Sequence, residues 1–179
     1  MAEIALNNID PNLRAFLLMI QRAEGTSVYL DPYKVLFGGG SFQDLSKHPN
    51  KRIPFYNPAT GKQDISTAAG AYQINLPTYN WLKMKDFSKV SQDNAAIELL
   101  HKNGAYPYVI KGDLPNAIKK AAASWASLPG STAKQKTIAF TVLKKYFDSM
   151  LSKVKNNPGT ALLFAAAVFF LLNSRKFKI

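Results

Sequence analysis

The sequence predicts an α+β domain, mostly helical with a small β-sheet, followed by a C-terminal hydrophobic helix. Three observations carry this. Apolar residues recur at helical spacing near the start of the chain and again toward residue 154. Turn formers crowd between residues 31 and 75. Twelve consecutive apolar residues, Ala161–Leu172, follow Pro158-Gly159-Thr160. At 179 residues the chain suits one ordinary domain with a short appendage. With 47% hydrophobic and 12% aromatic residues it can build a packed core, which excludes a disordered polyanion binder.

The elements follow in order. Asp10-Pro11 opens a helix, with Asp as N-cap and Pro at the first helical position. Leu13, Phe16, Leu17 and Ile20 recur at i, i+3, i+4 and i+7 and form one apolar face, and Gly25 closes the helix. Gly38-Gly39-Gly40, Pro49, Pro54, Asn57-Pro58 and Thr60-Gly61-Lys62 predict short strands and long surface loops, and Gly70–Ile74 reads as a strand edge. Pro77–Met84 is a short helical segment. Ser88 caps a helix to about Asn103, with Gly104 beyond it, and Asp113 caps another reaching Trp125 before Leu128-Pro129-Gly130. Val142, Leu143, Tyr146, Phe147, Met150, Leu151 and Val154 mark a last amphipathic helix. The predicted domain covers residues 1–152.

Residues 153–179 form a tail of a different kind. Its apolar run gives about 18 Å of helix, short of the ~30 Å bilayer core, and the length rule alone favours a core helix docked on the domain. Yet the run is apolar all round, and Lys153 and Lys155 before it and Arg175, Lys176 and Lys178 after it can snorkel from both ends. A lipid bilayer is therefore the expected partner of Ala161–Leu172. The two flanks nearly balance, so the charges set no orientation. The N-terminus lacks a basic segment followed by an apolar run, so no secretory signal is expected.

Composition narrows the chemistry. Cysteine is absent, and His48 and His101 are too few and too scattered for a zinc centre, so neither a metal nor another cofactor is expected. The net charge is +12, and residues 1–150 alone, with 18 basic and 11 acidic groups, carry +7. That balance suits any polyanionic surface, but no nucleic-acid motif accompanies it, so no nucleic-acid partner is expected.

Glutamate occurs three times, at Glu3, Glu24 and Glu98. Glu24 follows Ile20 by four residues, so it falls on the apolar stripe of the first helix, at that helix's C-terminal end. Desolvation and the negative end of the helix dipole both favour its neutral form, the condition for a general acid near neutral pH. The alternative is a last-turn Glu that bends out to water. Asp31, Asp44 and Asp64 could supply a second carboxylate for a two-acid glycosidase, but all lie among turn formers, where Asp serves local hydrogen bonding. The stretch Ser66–Gln73 combines small residues with Tyr72 and Gln73, an aromatic face and an amide suited to an N-acetylated sugar, or else a plain strand edge with a core tyrosine. Trp125 could place an indole in the same groove or simply pack a helix end.

Taken together and in order, these segments resemble the lambda-type phage endolysins. The matching pieces are Arg14–Leu17, Glu24-Gly25-Thr26, Gly38-Gly39, Phe42, Asp44, His48-Pro49, Ser66-Thr67, Gly70, Tyr72-Gln73, Lys85–Ser88, Ser91–Asp93, Gly104-Ala105, Gly112-Asp113 and Trp125–Gly130. The resemblance implies a lysozyme-like fold whose small sheet lies beside a glycan groove. It also implies a lytic transglycosylase of bacterial peptidoglycan in which Glu24 is the single catalytic acid/base. Glu24 would protonate the oxygen linking N-acetylmuramic acid to N-acetylglucosamine, then take a proton from the muramic acid's own primary hydroxyl, leaving an anhydro sugar. Thr26, Ser66, Tyr72, Gln73, Trp125 and Gln135 are the implied glycan-binding residues. The chain departs from the family at Ala71, where Arg is usual, at Lys34 for an Asp, at Ala133 for a Tyr, and in a shorter loop between Thr26 and Tyr33.

The tail lies outside the resemblance. It suggests an enzyme of a virion inner membrane or of the host cytoplasmic membrane that acts on periplasmic peptidoglycan, with other virion membrane or capsid proteins as neighbours. Two other readings stay open on the sequence: a membrane-tethered module that grips peptidoglycan without cutting it, and a hydrolase of the same bond.

Overall fold

The computed structural model of the chain describes residues 10–133 and 136–156. Six α-helices and one hairpin make up its regular structure. They are α1 (Pro11–Ala23), β1 (Ile53–Asn57), β2 (Lys62–Ser66), α2 (Leu76–Trp81), α3 (Lys89–Lys102), α4 (Tyr106–Lys111), α5 (Leu114–Ala121) and α6 (Phe140–Asn156). Short 3-10 turns at Thr26–Val28, Pro32–Lys34 and Phe37–Gly39 fill the stretch after α1.

The predicted start of α1 is observed: the Asp10 carboxylate accepts from the backbone N–H groups of Asn12 at 2.8 Å and Leu13 at 3.2 Å. Gly25, with φ +75°, turns the chain at its end. The helix is more central than one apolar stripe suggests. Ala15, Leu18 and Met19 are buried beside Leu13, Phe16, Leu17 and Ile20, and so are Arg14 and Gln21. The second face is covered because α6 lies along α1 and buries Leu143, Phe147, Met150 and Val154. α4 packs against α1 as well, with α3 and α5 behind it.

The predicted strands are a two-stranded antiparallel hairpin with Ile53 opposite Ser66 and Asn57 opposite Lys62. Almost all of β2 is exposed, and the hairpin meets the body through Phe37 and Phe55, whose ring centroids lie 5.2 Å apart.

Two expectations are corrected and one unexpected element is added. Gly70–Ile74 is a tight turn, not a strand edge: Ala69 and Ile74 exchange both backbone hydrogen bonds, while Gly70 (φ +76°) and Gln73 (φ +49°) take left-handed conformations inside the turn. α5 stops at Ala121, short of Trp125, and Trp125 turns inward to a buried backbone partner. α4 had no signal of its own; its six residues lie between the expected helices that Gly104 ends and Asp113 caps. The Ser88 and Asp113 side chains cap α3 and α5 as expected, and Asn75 caps α2.

The described residues include no helix long and apolar enough to cross a membrane. The expected helix at Ala161–Leu172 lies outside the described residues, as does Gln135.

Candidate active site

Glu24 is the C-cap of α1, its backbone N–H bonded to the Ile20 carbonyl at 2.8 Å. The residue is half-buried at the junction of α1 with the following 3-10 turn. Burial pushes its carboxyl up to about 7, against the opposing pull of a hydrogen bond from Ser127. The Ser127 hydroxyl donates to Glu24 Oε1 at 2.5 Å. Near neutral pH this carboxyl is therefore divided between acid and carboxylate, the state a group needs if it is first to give a proton and then to take one.

Both partners of this contact are fastened from below. Two residues past Glu24, the buried Thr26 hydroxyl lies 2.7 Å from the Ala71 carbonyl and 3.2 Å from that of Gln21. Two residues before Ser127, the buried Trp125 indole donates to the Tyr72 carbonyl at 3.1 Å. Ser27 is buried too. The Ala71–Tyr72 segment thus sits under the site and presents one carbonyl to each side.

The turn that carries these carbonyls is itself held by α3. Gln92, completely buried, accepts from the Ala71 N–H at 2.9 Å and donates to the Tyr33 and Phe87 carbonyls. The next residue, Asp93, is also buried, and its Oδ1 accepts from the Tyr72 hydroxyl at 2.5 Å and the Tyr33 hydroxyl at 2.9 Å. Gly70 has to be glycine here. Its φ is +76°, and a Cβ would come within 2.0 Å of Gln92 Oε1. His48 closes the far end of the turn. Its Nδ1 accepts from the Asn50 N–H, so Nε2 carries the proton and donates to the Ile74 carbonyl at 2.9 Å.

The expected glycan-binding residues fall into two groups. Thr26, Tyr72 and Trp125 are all but inaccessible, at 1%, 1% and 3% exposure, and their polar atoms are engaged inside the protein. Ser66 and Gln73 are half-buried. Ser66 Oγ accepts from the Ala68 N–H, and Gln73 Nε2 donates to the Val35 and Gly70 carbonyls, which leaves the Gln73 amide oxygen for another partner. Beyond Ser66, Arg52, Gln63, Asp64, Ile65, Thr67, Leu76 and Pro77 line a hollow of about 420 Å³. Ala71, where the resembled family has Arg, is wholly buried and offers its neighbours only backbone groups.

The three candidate second carboxylates have local duties. Asp31 caps the 3-10 turn at the Tyr33 N–H and pairs with Lys89 at 3.0 Å. Asp44 accepts from the Ser46 N–H, and Asp64 accepts from Asn57 Nδ2 and the Ile65 N–H. Both are exposed and held below the usual carboxylate range by those hydrogen bonds, Asp44 chiefly by Ser46 and Asp64 chiefly by Asn57. Ser127 and Asp93 escaped the sequence reading as site residues. A buried Glu24 requires a donor, but nothing in the spacing selects a serine 103 residues away.

A helical body with a small hairpin, built around a half-buried glutamate at the end of its central helix, defines a lysozyme-like protein. The sequence model of the family described as Endolysin matches residues 14–154, and the chain belongs to that family. Among its relatives are the endolysin of Escherichia phage lambda and that of Escherichia phage P2. The first is 34% identical over 161 residues, covering 85% of this chain and 94% of the relative. The second is 34% identical over 137 residues, covering 69% and 83%. The structure of bacteriophage lambda lysozyme complexed with a chitohexasaccharide superposes with a TM-score of 0.70 at 34% identity, covering 83% of this chain and 96% of that one. A second structure of lysozyme from bacteriophage lambda gives 0.62 at 33% identity, covering 89% and 97%.

Proposed function

We propose that this endolysin cleaves bacterial peptidoglycan as a lytic transglycosylase with Glu24 as its one acid/base. The observation that carries the reading is the Glu24 carboxyl, pushed up to about 7 by burial beside one neutral hydroxyl donor, Ser127. In its acid form Glu24 protonates the glycosidic oxygen, and the bond from that oxygen to the muramic acid's anomeric carbon breaks. The carboxylate left behind takes the proton of the muramic acid's primary hydroxyl, whose oxygen closes on the anomeric carbon. The proton balance of Glu24 is restored, and no water enters. A hydrolase would need a second carboxylate across the groove to direct water or to form a covalent intermediate. The local engagement of Asp31, Asp44 and Asp64 supports the single-acid reading. The lambda lysozyme complex with a chitohexasaccharide supports an N-acetylated glycan as substrate. Ser66 and the free amide oxygen of Gln73 are the proposed glycan contacts, while Thr26, Tyr72 and Trp125 act by holding the site together.

The test is digestion of purified peptidoglycan by the full chain, with mass spectrometry of the fragments and Glu24→Gln as control. Anhydro-muramoyl ends that vanish in the variant are expected. Reducing ends would make the protein a hydrolase, and absence of cleavage by a folded protein would make it a binding module.

We further propose that the apolar run Ala161–Leu172 associates with a bilayer and keeps the enzyme at a virion membrane or the host cytoplasmic membrane. Its composition and flanking cations support this. The full chain should sediment with anionic vesicles while a chain ending at Asn156 stays in solution; equal behaviour would refute it.

A further inference from the structure

We propose that Asp93 is a positioning residue for Glu24: by holding the Tyr72 hydroxyl it fixes the two adjacent carbonyls that keep Glu24 and Ser127 in contact. The inference rests on Glu24 being the acid/base of the site.

The connection can be followed bond by bond. Asp93 Oδ1 accepts from the Tyr72 hydroxyl at 2.5 Å and from the Tyr33 hydroxyl at 2.9 Å. The Tyr72 carbonyl accepts from Trp125, two residues before Ser127. The Ala71 carbonyl bonds to Thr26, two residues after Glu24. Gln92 fixes the Ala71 N–H from the same turn of α3. The segments bearing the acid and its donor are far apart in sequence, and the hydrogen bonds from Thr26 and Trp125 that register them meet on two consecutive peptide units. Whatever holds those units holds the acid's hydrogen bond.

A buried carboxyl is an expensive way to hold a tyrosine unless its strength is used. A hydrogen bond to an ionised acceptor is roughly twice as strong as one between neutral groups. Burial pushes the Asp93 carboxyl up to about 7, opposed by the hydroxyls of Tyr72 and Tyr33 and by the charge of Lys89, one turn earlier on α3. Tyr33 faces Asp93 from the 3-10 turn and Tyr72 from the Gly70–Ile74 turn. Gln21 of α1 donates to the Tyr72 hydroxyl at 3.3 Å, and Arg14 of α1 interacts electrostatically with Tyr33. Lys89 is shared with Asp31.

The sign of the effect separates position from charge. If Asp93 acted on Glu24 only as a nearby anion, removing it would lower the Glu24 pKa. If it acts by position, removing it slackens the Ser127 hydrogen bond, which favours the Glu24 carboxylate, and the Glu24 pKa rises. The experiment is a carboxyl-carbon NMR titration of full-length protein labelled on glutamate, which has only Glu3, Glu24 and Glu98 to resolve. Tyr72→Phe, Asp93→Asn and Ser127→Ala are compared singly and combined. The expected result is a higher Glu24 midpoint in all three single variants, with no further rise when Tyr72→Phe is added to Ser127→Ala. Turnover should then show kcat down about tenfold or more with KM within about twofold. An unchanged Glu24 midpoint with lowered thermal stability would reduce Asp93 to a core anchor and overturn the proposal. A lower midpoint, or a Tyr72→Phe effect that persists without Ser127, would overturn it too. Tyr72→Phe removes a single hydroxyl, so it decides the matter if Asp93→Asn does not fold. The titration needs no substrate, so its outcome is independent of the reaction assigned to the site.

Discussion

The hydroxyl of Ser127 meets Oε1 of Glu24 at 2.5 Å across 103 residues of chain. One neutral donor therefore stands against the desolvation of the carboxyl, and the balance between them sets the pH at which the acid loses its proton.

Activity should fall as pH rises through about 7, because the first step needs the protonated Glu24. The initial rate of peptidoglycan cleavage between pH 5 and 9 reads this directly. An ordinary glutamate would already have lost its proton below pH 6, and a midpoint there would contradict the desolvation argument.

Ser127→Ala removes the group that pulls the Glu24 pKa down. The falling limb should move to higher pH by about one unit, consistent with about 1.5–3 kcal/mol for a hydrogen bond to a charged group, reduced here by partial exposure. A limb that moves downward would mean that another group lowers the Glu24 pKa in place of Ser127.

Glu24→Gln should abolish cleavage, by about 10²–10⁴-fold or more, and stabilise the fold in a pH-dependent way. The native carboxyl titrates near 7 and the unfolded one near 4.5. Below 4.5 both states hold the proton and the group contributes no difference. As pH rises toward 7 the unfolded chain ionises first, which destabilises the native protein by about 1–3 kcal/mol relative to the variant. Urea denaturation at pH 4 and pH 8 should give coincident curves at the first and a more stable variant at the second.

Gly70→Ala should destabilise by about 2–4 kcal/mol, the sum of overpacking against Gln92 and a left-handed backbone forced on alanine. Gln92 cannot swing aside cheaply, since its amide serves three backbone groups. Thermal unfolding measures the loss.

Trp125→Phe keeps a ring in place but leaves the Tyr72 carbonyl without its indole donor. The expected cost is about 1–3 kcal/mol, the penalty of an unpaired buried acceptor. A variant as stable as the parent would mean that another donor reaches that carbonyl.

The first helix, its caps and Glu24 were legible in the sequence because they are local. Asp10, Pro11 and Gly25 act on their immediate neighbours, and the position of Glu24 on the stripe follows from helical period alone. The caps of α3 and α5, Ser88 and Asp113, were legible for the same reason. The turn at Gly70–Ile74 was not, because Tyr72 and Ile74 have the residue types of a strand while the conformation is decided by Gln92, Asp93 and His48. Tyr72 reads at least as well as a core tyrosine as a groove aromatic, and Trp125 reads more readily as the packing of a helix end than as a groove indole. Burial settles that they are core, and burial of a single aromatic is a tertiary property. Ser127 and Asp93 were hidden as site residues because their partners lie 103 and 21 residues away.

The hairpin of β1 and β2 keeps nearly all of its second strand in water and leans on the body through Phe55. An isolated two-stranded ribbon is marginal in water, so its opening costs only a fraction of global unfolding. The amides of residues 53–66 should therefore exchange with deuterium long before those of α1, whose carbonyl ladder opens only when the whole body does. The hairpin can thus yield locally while the acid, tied through Ser127 and the end of α1 to the body, keeps its place.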